Sequence, residues 1–181
     1  MKRGDFLELK ELCNKTMELF EISDITELGN ALMTCVKNND VQKYSDFQSL
    51  VGVLSVDWLQ MIFQYYHADR KEKMQDYTPK TLADFMGRLL GNSKIIIDMC
   101  AGSGALTIQK WSRNPDLKFL LYEFDENVIP FLLFNMALRN VSCTVYHADV
   151  LQQEIFHTYK ISKGERYGVF EEVENGNSFD L

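Results

Sequence analysis

The segment that most limits how this chain can fold is Asp98-Met99-Cys100-Ala101-Gly102-Ser103-Gly104. It begins at the end of a short β-branched run that starts at Lys94, and an amphipathic stretch from Ala105 to Trp111 follows it. We therefore expect a buried strand before the glycines and a helix after them. Glycines let the backbone turn tightly and approach a ligand, and the start of a helix offers unpaired N–H groups. The segment predicts a nucleotide-type binding loop.

The strand and helix pattern recurs after this loop. Residues from Lys118 to Tyr122 predict a strand, those from Glu126 to Arg139 a helix, and those from Cys143 to Tyr146 another strand. Strands that alternate with helices predict an α/β fold with a parallel, doubly wound sheet and crossover helices on both faces. The pattern weakens after Leu151, and glycines and charges predict a loop with at most a short hairpin over residues 159–178.

A helical region precedes the sheet. Residues from Asp5 to about Asp76 contain no proline, and their apolar side chains recur at helical spacing. Three apolar stripes are predicted, formed by Leu9, Leu12, Cys13, Leu19 and Phe20, by Leu28, Leu32, Cys35 and Val36, and by Trp58, Leu59, Ile62, Phe63 and Tyr66. We expect an N-terminal helical subdomain over residues 1–75 and an incomplete binding domain over residues 76–181.

Composition limits the partners that the chain can bind alone. The formal net charge is −7 and the pI is about 5.0, which argues against a broad basic face for nucleic acid. The four cysteines form no CxxC pair, so neither a zinc site nor a disulfide framework is predicted. No apolar run approaches the roughly 18 residues of a membrane span, and no signal peptide is evident, so we expect a cytoplasmic protein without membrane contact.

Two cofactor classes compete for the glycine loop. A dinucleotide fold prefers a third glycine where this chain has Thr107, and Asp98 is unfavourable beside a pyrophosphate. A carboxylate at that position instead favours the cationic sulfonium and ammonium groups of S-adenosylmethionine. Glu123 ends the next predicted strand, 19 residues beyond Gly104, where a carboxylate can accept both ribose hydroxyls. S-adenosylmethionine is the favoured cofactor, and NAD stays as the alternative.

The remaining acidic residues near strand ends have two interpretations. Asp149 follows the third predicted strand and can accept from an exocyclic amine, or it can cap the residues after it. Asp125 and Glu126 fit better as acids at the start of a helix.

Taken in order, four segments resemble the cofactor motifs of methyltransferases that act on adenine amines in DNA. They are Tyr77-Thr78-Pro79-Lys80, Asp98 to Thr107, Tyr122-Glu123, and His147-Ala148-Asp149-Val150. The chain is most similar in this respect to the modification subunit of type I restriction systems, over about residues 75 to 151. The resemblance implies a Rossmann-like class I fold that binds S-adenosylmethionine and serves methyl transfer to the N6 amine of adenine.

The resemblance also implies roles for individual residues. The Tyr77 to Pro79 segment would lie over the methionine end of the cofactor, Glu123 would hold the ribose, Phe124 would flank the adenine, and Asp149 with Val150 would meet its edge. The full set of implied cofactor-binding residues is Tyr77, Thr78, Pro79, Asp98, Ala101, Gly102, Ser103, Gly104, Leu106, Glu123, Phe124, Asp149 and Val150.

One part of the family pattern is not in this sequence. The family holds its target adenine with an Asn or Asp followed by Pro-Pro and an aromatic residue, and the prolines here, Pro79, Pro115 and Pro130, are never adjacent. We therefore assign no catalytic residue, and we expect a chain truncated before this motif that contacts DNA with other subunits or a C-terminal part. A specificity subunit or a second copy is the expected partner. The alternatives are a non-catalytic cofactor-binding or partner-pairing fragment, and a methyltransferase for another substrate.

Overall fold

The computed structural model describes residues 3–66 and 94–173. Helices come first along the chain, and a five-stranded sheet with two crossover helices follows. The first part contains α1 (Arg3–Phe20), a 3₁₀ turn (Ile25–Glu27), α2 (Leu28–Lys37), α3 (Val41–Val51) and α4 (Trp58–Tyr66). The second part contains β1 (Ile95–Asp98), α5 (Ala105–Trp111), β2 (Lys118–Glu123), α6 (Ile129–Leu138), β3 (Ser142–Asp149), β4 (Glu154–Ser162) and β5 (Val169–Val173).

The sheet is parallel in its first part and antiparallel in its second. Its strand order is β1-β2-β3-β4-β5, with β1, β2 and β3 parallel and with β4 and β5 added antiparallel. This mixed α/β architecture confirms the predicted methyltransferase-like fold class. Of the loop with a short hairpin expected over residues 159–178, the hairpin is present, because β4 and β5 pair antiparallel. It is longer than expected, since β4 begins at Glu154.

The glycines after Ser162 explain why the sequence pattern favoured a loop there. A Cβ on Gly164 would collide with the backbone oxygen of Tyr167, and one on Gly168 would collide with the side chain of Ile161. These glycines allow close approach of the backbone inside a hairpin, which a sequence pattern does not distinguish from the glycines of a flexible loop.

Both described crossover helices lie on one face of the sheet, whereas we predicted crossovers on both faces. The connections from β1 to β2 and from β2 to β3 step in the same direction across the sheet. Right-handed crossovers in the same direction place their helices on the same side. Accordingly, Gly104 at the start of α5 packs against Leu132 and Met136 of α6.

Helix α6 is the centre of the core. Every residue from Ile129 to Leu138 except Pro130 is buried, as expected for a helix that is apolar on all sides. The Phe134 ring lies 5.6 Å from the ring of Phe20, 5.1 Å from that of Tyr44 and 5.4 Å from that of Phe47. The N-terminal helices therefore pack on one side of α6 and the sheet packs on the other, within one core cluster. The predicted domain boundary at residue 75 lies outside the described residues.

The predicted apolar stripes account for the inner faces of three helices. Leu9, Cys13 and Phe20 of α1 are buried, as are the four stripe residues of α2 and Leu59 and Ile62 of α4. Helix α3 was not predicted as a separate element. Its first turn is capped by the Asp40 carboxylate, which accepts from the backbone N–H of Lys43 at 3.0 Å. Across the described ranges, no helix has the length and apolarity needed to cross a membrane.

Candidate cofactor-binding site

The glycine loop is fixed between the carboxyl ends of β1 and β2. Ala101 donates its backbone N–H to the Tyr122 carbonyl at 2.9 Å, and Gly104 donates to the Ala101 carbonyl at 2.9 Å. Helix α5 then begins, with the N–H of Ile108 donating to the Gly104 carbonyl at 2.8 Å. This is the predicted turn from strand to helix, at the sheet edge where open α/β folds bind ligands.

The two glycines of the loop serve different purposes. Gly102 has a φ of +55°, and among the described residues no atom would lie within 4 Å of a Cβ at that position. Gly104 has a φ of +97°, and a Cβ there would lie 2.7 Å from Cε of Met136 and 3.0 Å from Cδ1 of Leu132. Gly102 thus leaves open space where a ligand can approach the backbone, while Gly104 lets the loop pack closely on α6.

Glu123 binds the glycine loop directly. Its Oε2 accepts from the N–H of Gly102 at 2.8 Å, and its Oε1 accepts from the N–H groups of Phe124 at 2.9 Å and Asp125 at 2.8 Å. A carboxylate offers about four acceptor positions. The predicted contact with both ribose hydroxyls therefore requires one of these backbone hydrogen bonds to be released, whereas contact with one hydroxyl does not.

A second carboxylate gives the loop a negative potential. Burial raises the pKa of Asp98, the hydrogen bond from the Cys100 N–H at 3.2 Å opposes that rise, and the charge of Glu123 adds to it. Burial also raises the pKa of the Cys100 thiol, with further contributions from Glu123 and Asp98. Two carboxylates at the mouth of the loop disfavour an anionic ligand and favour a cationic one.

An aromatic cleft lies beside Glu123, at the end of β2. The Phe124 side chain is 63% exposed, and its ring centroid lies 6.4 Å from that of Phe156. His147 closes one side through a 3.2 Å contact between its Nε2 and the Phe124 carbonyl oxygen. The cleft has a volume of about 550 Å³, and its apolar ring faces suit a flat aromatic ligand.

Asp149 ends β3, two strands away from Asp98. Its Oδ1 accepts from the N–H groups of Leu151 at 2.9 Å and Gln152 at 3.0 Å, so it caps the turn into β4. Asp149 therefore acts as a cap in this structure, which was one of its two interpretations. Its contact with the adenine edge, and that of Val150, stays a prediction. Asp125 similarly accepts from the N–H of Asn127 at 3.0 Å, ahead of α6.

Ser103 faces the interior and not the open side of the loop. Its hydroxyl donates to Oδ2 of Asp57 at 2.6 Å, and the residue is 5% exposed. Ala101 is also buried, and Leu106 is partly buried on the first turn of α5. The predicted Tyr77, Thr78 and Pro79 contacts lie outside the described residues.

Sequence reasoning missed a buried polar cluster behind the loop, formed by Asp57, Ser103, Asn135 and Arg139. Nδ2 of Asn135 donates to Oδ1 of Asp57 at 3.0 Å and to the Ser103 carbonyl at 2.8 Å. Arg139 donates from Nη1 to Oδ1 of Asn135 at 2.8 Å. A signal was present at the end of α6, where Asn135 in an otherwise apolar helix and Arg139 at its C-cap stand four residues apart and so share one face.

Burial has opposite effects on the two charged members of this cluster. It raises the pKa of Asp57, while hydrogen bonds from Ser103, Gln60 and Asn135 and the charge of Arg139 act against that rise. It lowers the pKa of Arg139 to about 10, against the favourable charge of Asp57. The guanidinium therefore stays charged at neutral pH and compensates the buried carboxylate.

Comparison with known proteins gives one family. A family model described as N-6 DNA methylase matches residues 55–166, which include Asp57, the glycine loop, Glu123 and Asp149. No curated protein and no solved structure matches the chain. Because the family match spans more than half of the 181 residues, the chain belongs to the N-6 DNA methylase family, which supports a function in DNA methylation.

Proposed function

We propose that this chain is the S-adenosylmethionine-binding portion of a methyltransferase that modifies the N6 amine of adenine in DNA. The observation that carries the proposal is the pair of carboxylates, Asp98 and Glu123, on either side of an open glycine at the carboxyl edge of parallel strands. Family membership supports the general reaction, and the chemistry of this pair favours the cofactor.

The residues at the loop fit that cofactor in three respects. No atom of residues 3–66 or 94–173 would contact a Cβ on Gly102, so these parts of the chain leave the backbone there open to a ligand. Asp98 offers negative charge for a sulfonium and an ammonium group, and Glu123 keeps acceptor capacity on Oε2 for a ribose hydroxyl. The same charges are unfavourable for the two phosphates of NAD, which weakens the dinucleotide alternative.

The aromatic cleft extends the fit toward the adenine of the cofactor. The exposed Phe124 ring provides a surface for stacking next to the residue that would hold the ribose. Asp149 directs both of its backbone hydrogen bonds to Oδ1, so among the described residues Oδ2 remains the candidate acceptor for an exocyclic amine.

The contribution of this chain to the reaction is binding and orientation. When bound, S-adenosylmethionine supplies a methyl group activated on a cationic sulfur. Asp98 would hold the cationic methionine part of the ligand and Glu123 its ribose, so the two carboxylates would restrict the poses of the ligand, which is a proximity effect. We assign no proton transfer to any residue described here.

We also propose how this chain reaches DNA. Its net charge of −7 is unsuited to binding phosphates alone, so a basic surface on another subunit, or on another part of the same assembly, would supply the DNA contacts. The order of the motifs favours the role of a modification subunit in a type I restriction system, with a specificity subunit or a second copy as partner.

Calorimetry tests the cofactor assignment directly. We would titrate S-adenosylmethionine, its demethylated product and NAD into the purified chain and into Glu123→Gln, with the exposed Glu154→Gln as the matched control. We expect saturable binding of the two methionine ligands, about 10-fold weaker in Glu123→Gln because a charged acceptor is lost, and unchanged in Glu154→Gln. Tighter binding of NAD than of S-adenosylmethionine, or no binding by a folded chain, would reject the proposal.

A further inference from the structure

We propose that Asp57 is a positioning residue for the glycine loop, acting through Ser103 and Asn135. The inference rests on the proposed function where it concerns cofactor affinity, and on the geometry of the loop alone where it concerns order. Asp57 lies before α4, 46 residues ahead of Ser103, so this contact links the helical part of the chain to the binding loop.

The Asp57 carboxylate accepts three hydrogen bonds. Besides the Ser103 hydroxyl at 2.6 Å and the Asn135 amide at 3.0 Å, its Oδ1 accepts from the backbone N–H of Gln60 at 3.0 Å. The residue is 7% exposed. A buried carboxylate with this many donors has one orientation, so it can serve as a fixed anchor for the loop.

Ser103 is the point at which an anchor has most effect. It stands between Gly102 and Gly104, which both have positive φ and which would otherwise give the loop wide conformational freedom. The cluster holds Ser103 twice, at its hydroxyl through Asp57 and at its carbonyl through Asn135. Fixing this residue therefore fixes the directions of the Gly102 N–H and of the open space beside it.

The anchor itself is tied to the sheet part of the chain. Arg139 donates from Nε to the Leu54 carbonyl at 2.7 Å and from Nη2 to the Val56 carbonyl at 2.8 Å. Nε2 of Gln109 donates to the Ser55 carbonyl at 2.7 Å. Residues 54–57 are thus held by side chains of α5 and α6. The loop is preorganised before any ligand binds, and preorganisation lowers the entropic cost of binding.

The test follows loop order and cofactor affinity separately. We would measure amide hydrogen exchange of Gly102 and Gly104 in the ligand-free full chain, and S-adenosylmethionine affinity by calorimetry. The variants are Ser103→Ala, which leaves Asp57 its Asn135 and Gln60 donors, and Asp57→Asn, which keeps the shape but presents an NH₂ group to those donors. Ser112→Ala is the matched control, because the Ser112 hydroxyl donates to the Gln109 carbonyl at the far end of α5.

We expect exchange of the two glycine amides to accelerate about 10-fold in Ser103→Ala and more in Asp57→Asn, with strand β3 amides unchanged. Affinity for S-adenosylmethionine should fall about 10-fold at a temperature where both variants are folded, and Ser112→Ala should match the parent chain. Unchanged glycine exchange in Ser103→Ala, or equal acceleration throughout the sheet, would overturn the positioning role. Faster glycine exchange in the two variants, together with no S-adenosylmethionine binding by the parent chain, would support the positioning role and reject the proposed function.

Discussion

The two sides of the glycine loop have opposite surroundings. On the inner side, Ser103 and Gly104 are buried against Asp57 and the side chains of α6. On the outer side, Gly102 borders open space, and Asp98 and Glu123 give that space a negative potential. Three consecutive residues thus carry both a packing interface and a candidate ligand surface.

This contrast separates stability from binding. Changes on the inner side remove contacts that exist in the ligand-free protein, so they should lower the free energy of unfolding. Apart from Glu123, which accepts three backbone hydrogen bonds, changes on the outer side remove little that holds the fold together, and the charge of Asp98 disfavours the folded state. We therefore expect inner variants to be measured best by unfolding and outer variants by ligand affinity.

The largest effect should come from Arg139→Leu. This change leaves the buried Asp57 carboxylate without its compensating cation and leaves the Leu54 and Val56 carbonyls without their donor. Each buried acceptor left without its donor costs about 1–3 kcal/mol. Equilibrium unfolding in urea should show that loss, and a loss below about 1 kcal/mol would mean that Arg139 contributes little to the fold.

Arg139→Lys is the control that separates charge from geometry. Lysine keeps the positive charge but not the planar fork that reaches the Leu54 and Val56 carbonyls together. We expect an intermediate loss of stability. A lysine variant as unstable as the leucine variant would show that the hydrogen bonds, and not the charge, hold residues 54–57.

The next effect compares the two glycines with the same substitution. Gly104→Ala combines an unfavourable φ of +97° with a Cβ 2.7 Å from Cε of Met136, which is fully buried. It should cost about 2–4 kcal/mol. Gly102→Ala has a φ of +55° and no neighbour within 4 Å in the described part of the chain, and it should cost about 1 kcal/mol. Unfolding curves of the two variants measure the difference, and equal costs would contradict the assignment of inner and outer sides.

The ligand affinity of the same pair should show the reverse order. A methyl group on Gly102 occupies the open space that the ligand would use, so Gly102→Ala should weaken S-adenosylmethionine binding more than Gly104→Ala does, at a temperature where both are folded. If the Gly102 variant binds as tightly as the parent chain, the ligand does not approach this part of the backbone.

The outer side of the loop could be predicted from the sequence because its signals are local. Each of its residues is recognised by its position at or directly after the end of a predicted strand: Asp98 ends β1, the glycines follow it, and Glu123 ends β2. The register of the parallel strands then brings them together. The inner side could not be predicted in this way. Asp57 and Ser103 are 46 residues apart, and a polar residue before a helix, such as Asp57, indicates a cap and not a long-range partner.

The second half of the sheet was also difficult to predict from local sequence signals. Tyr159 and Ile161 are buried on one face of β4 and Lys160 between them is exposed, which is the alternation of a half-buried strand. The nearby glycines nevertheless indicated a loop. Only the close packing of Gly168 on Ala137 and Ile161 reveals that the absence of a side chain was needed for strand and helix to approach.

The smallest effect on stability, and one of opposite sign, is expected for Asp98→Asn. Burial raises the pKa of Asp98, and the Glu123 charge adds to the rise, so the folded protein prefers the protonated carboxyl. That preference is fully satisfied below the ordinary aspartate pKa of about 3.9 and is lost as pH rises through the raised value. An uncharged asparagine should therefore raise the melting temperature at pH 7 by about 2–4 °C, and this gain should shrink as the pH is lowered toward about 4.

The same change should weaken S-adenosylmethionine binding about 10-fold at pH 7, because the cationic ligand loses its counter-charge. Affinity of the parent chain should fall as pH decreases through the raised pKa, while that of Asp98→Asn stays flat. Scanning calorimetry and ligand titration across this pH range measure both effects, and a less stable variant with unchanged affinity would place Asp98 on the structural side of the loop.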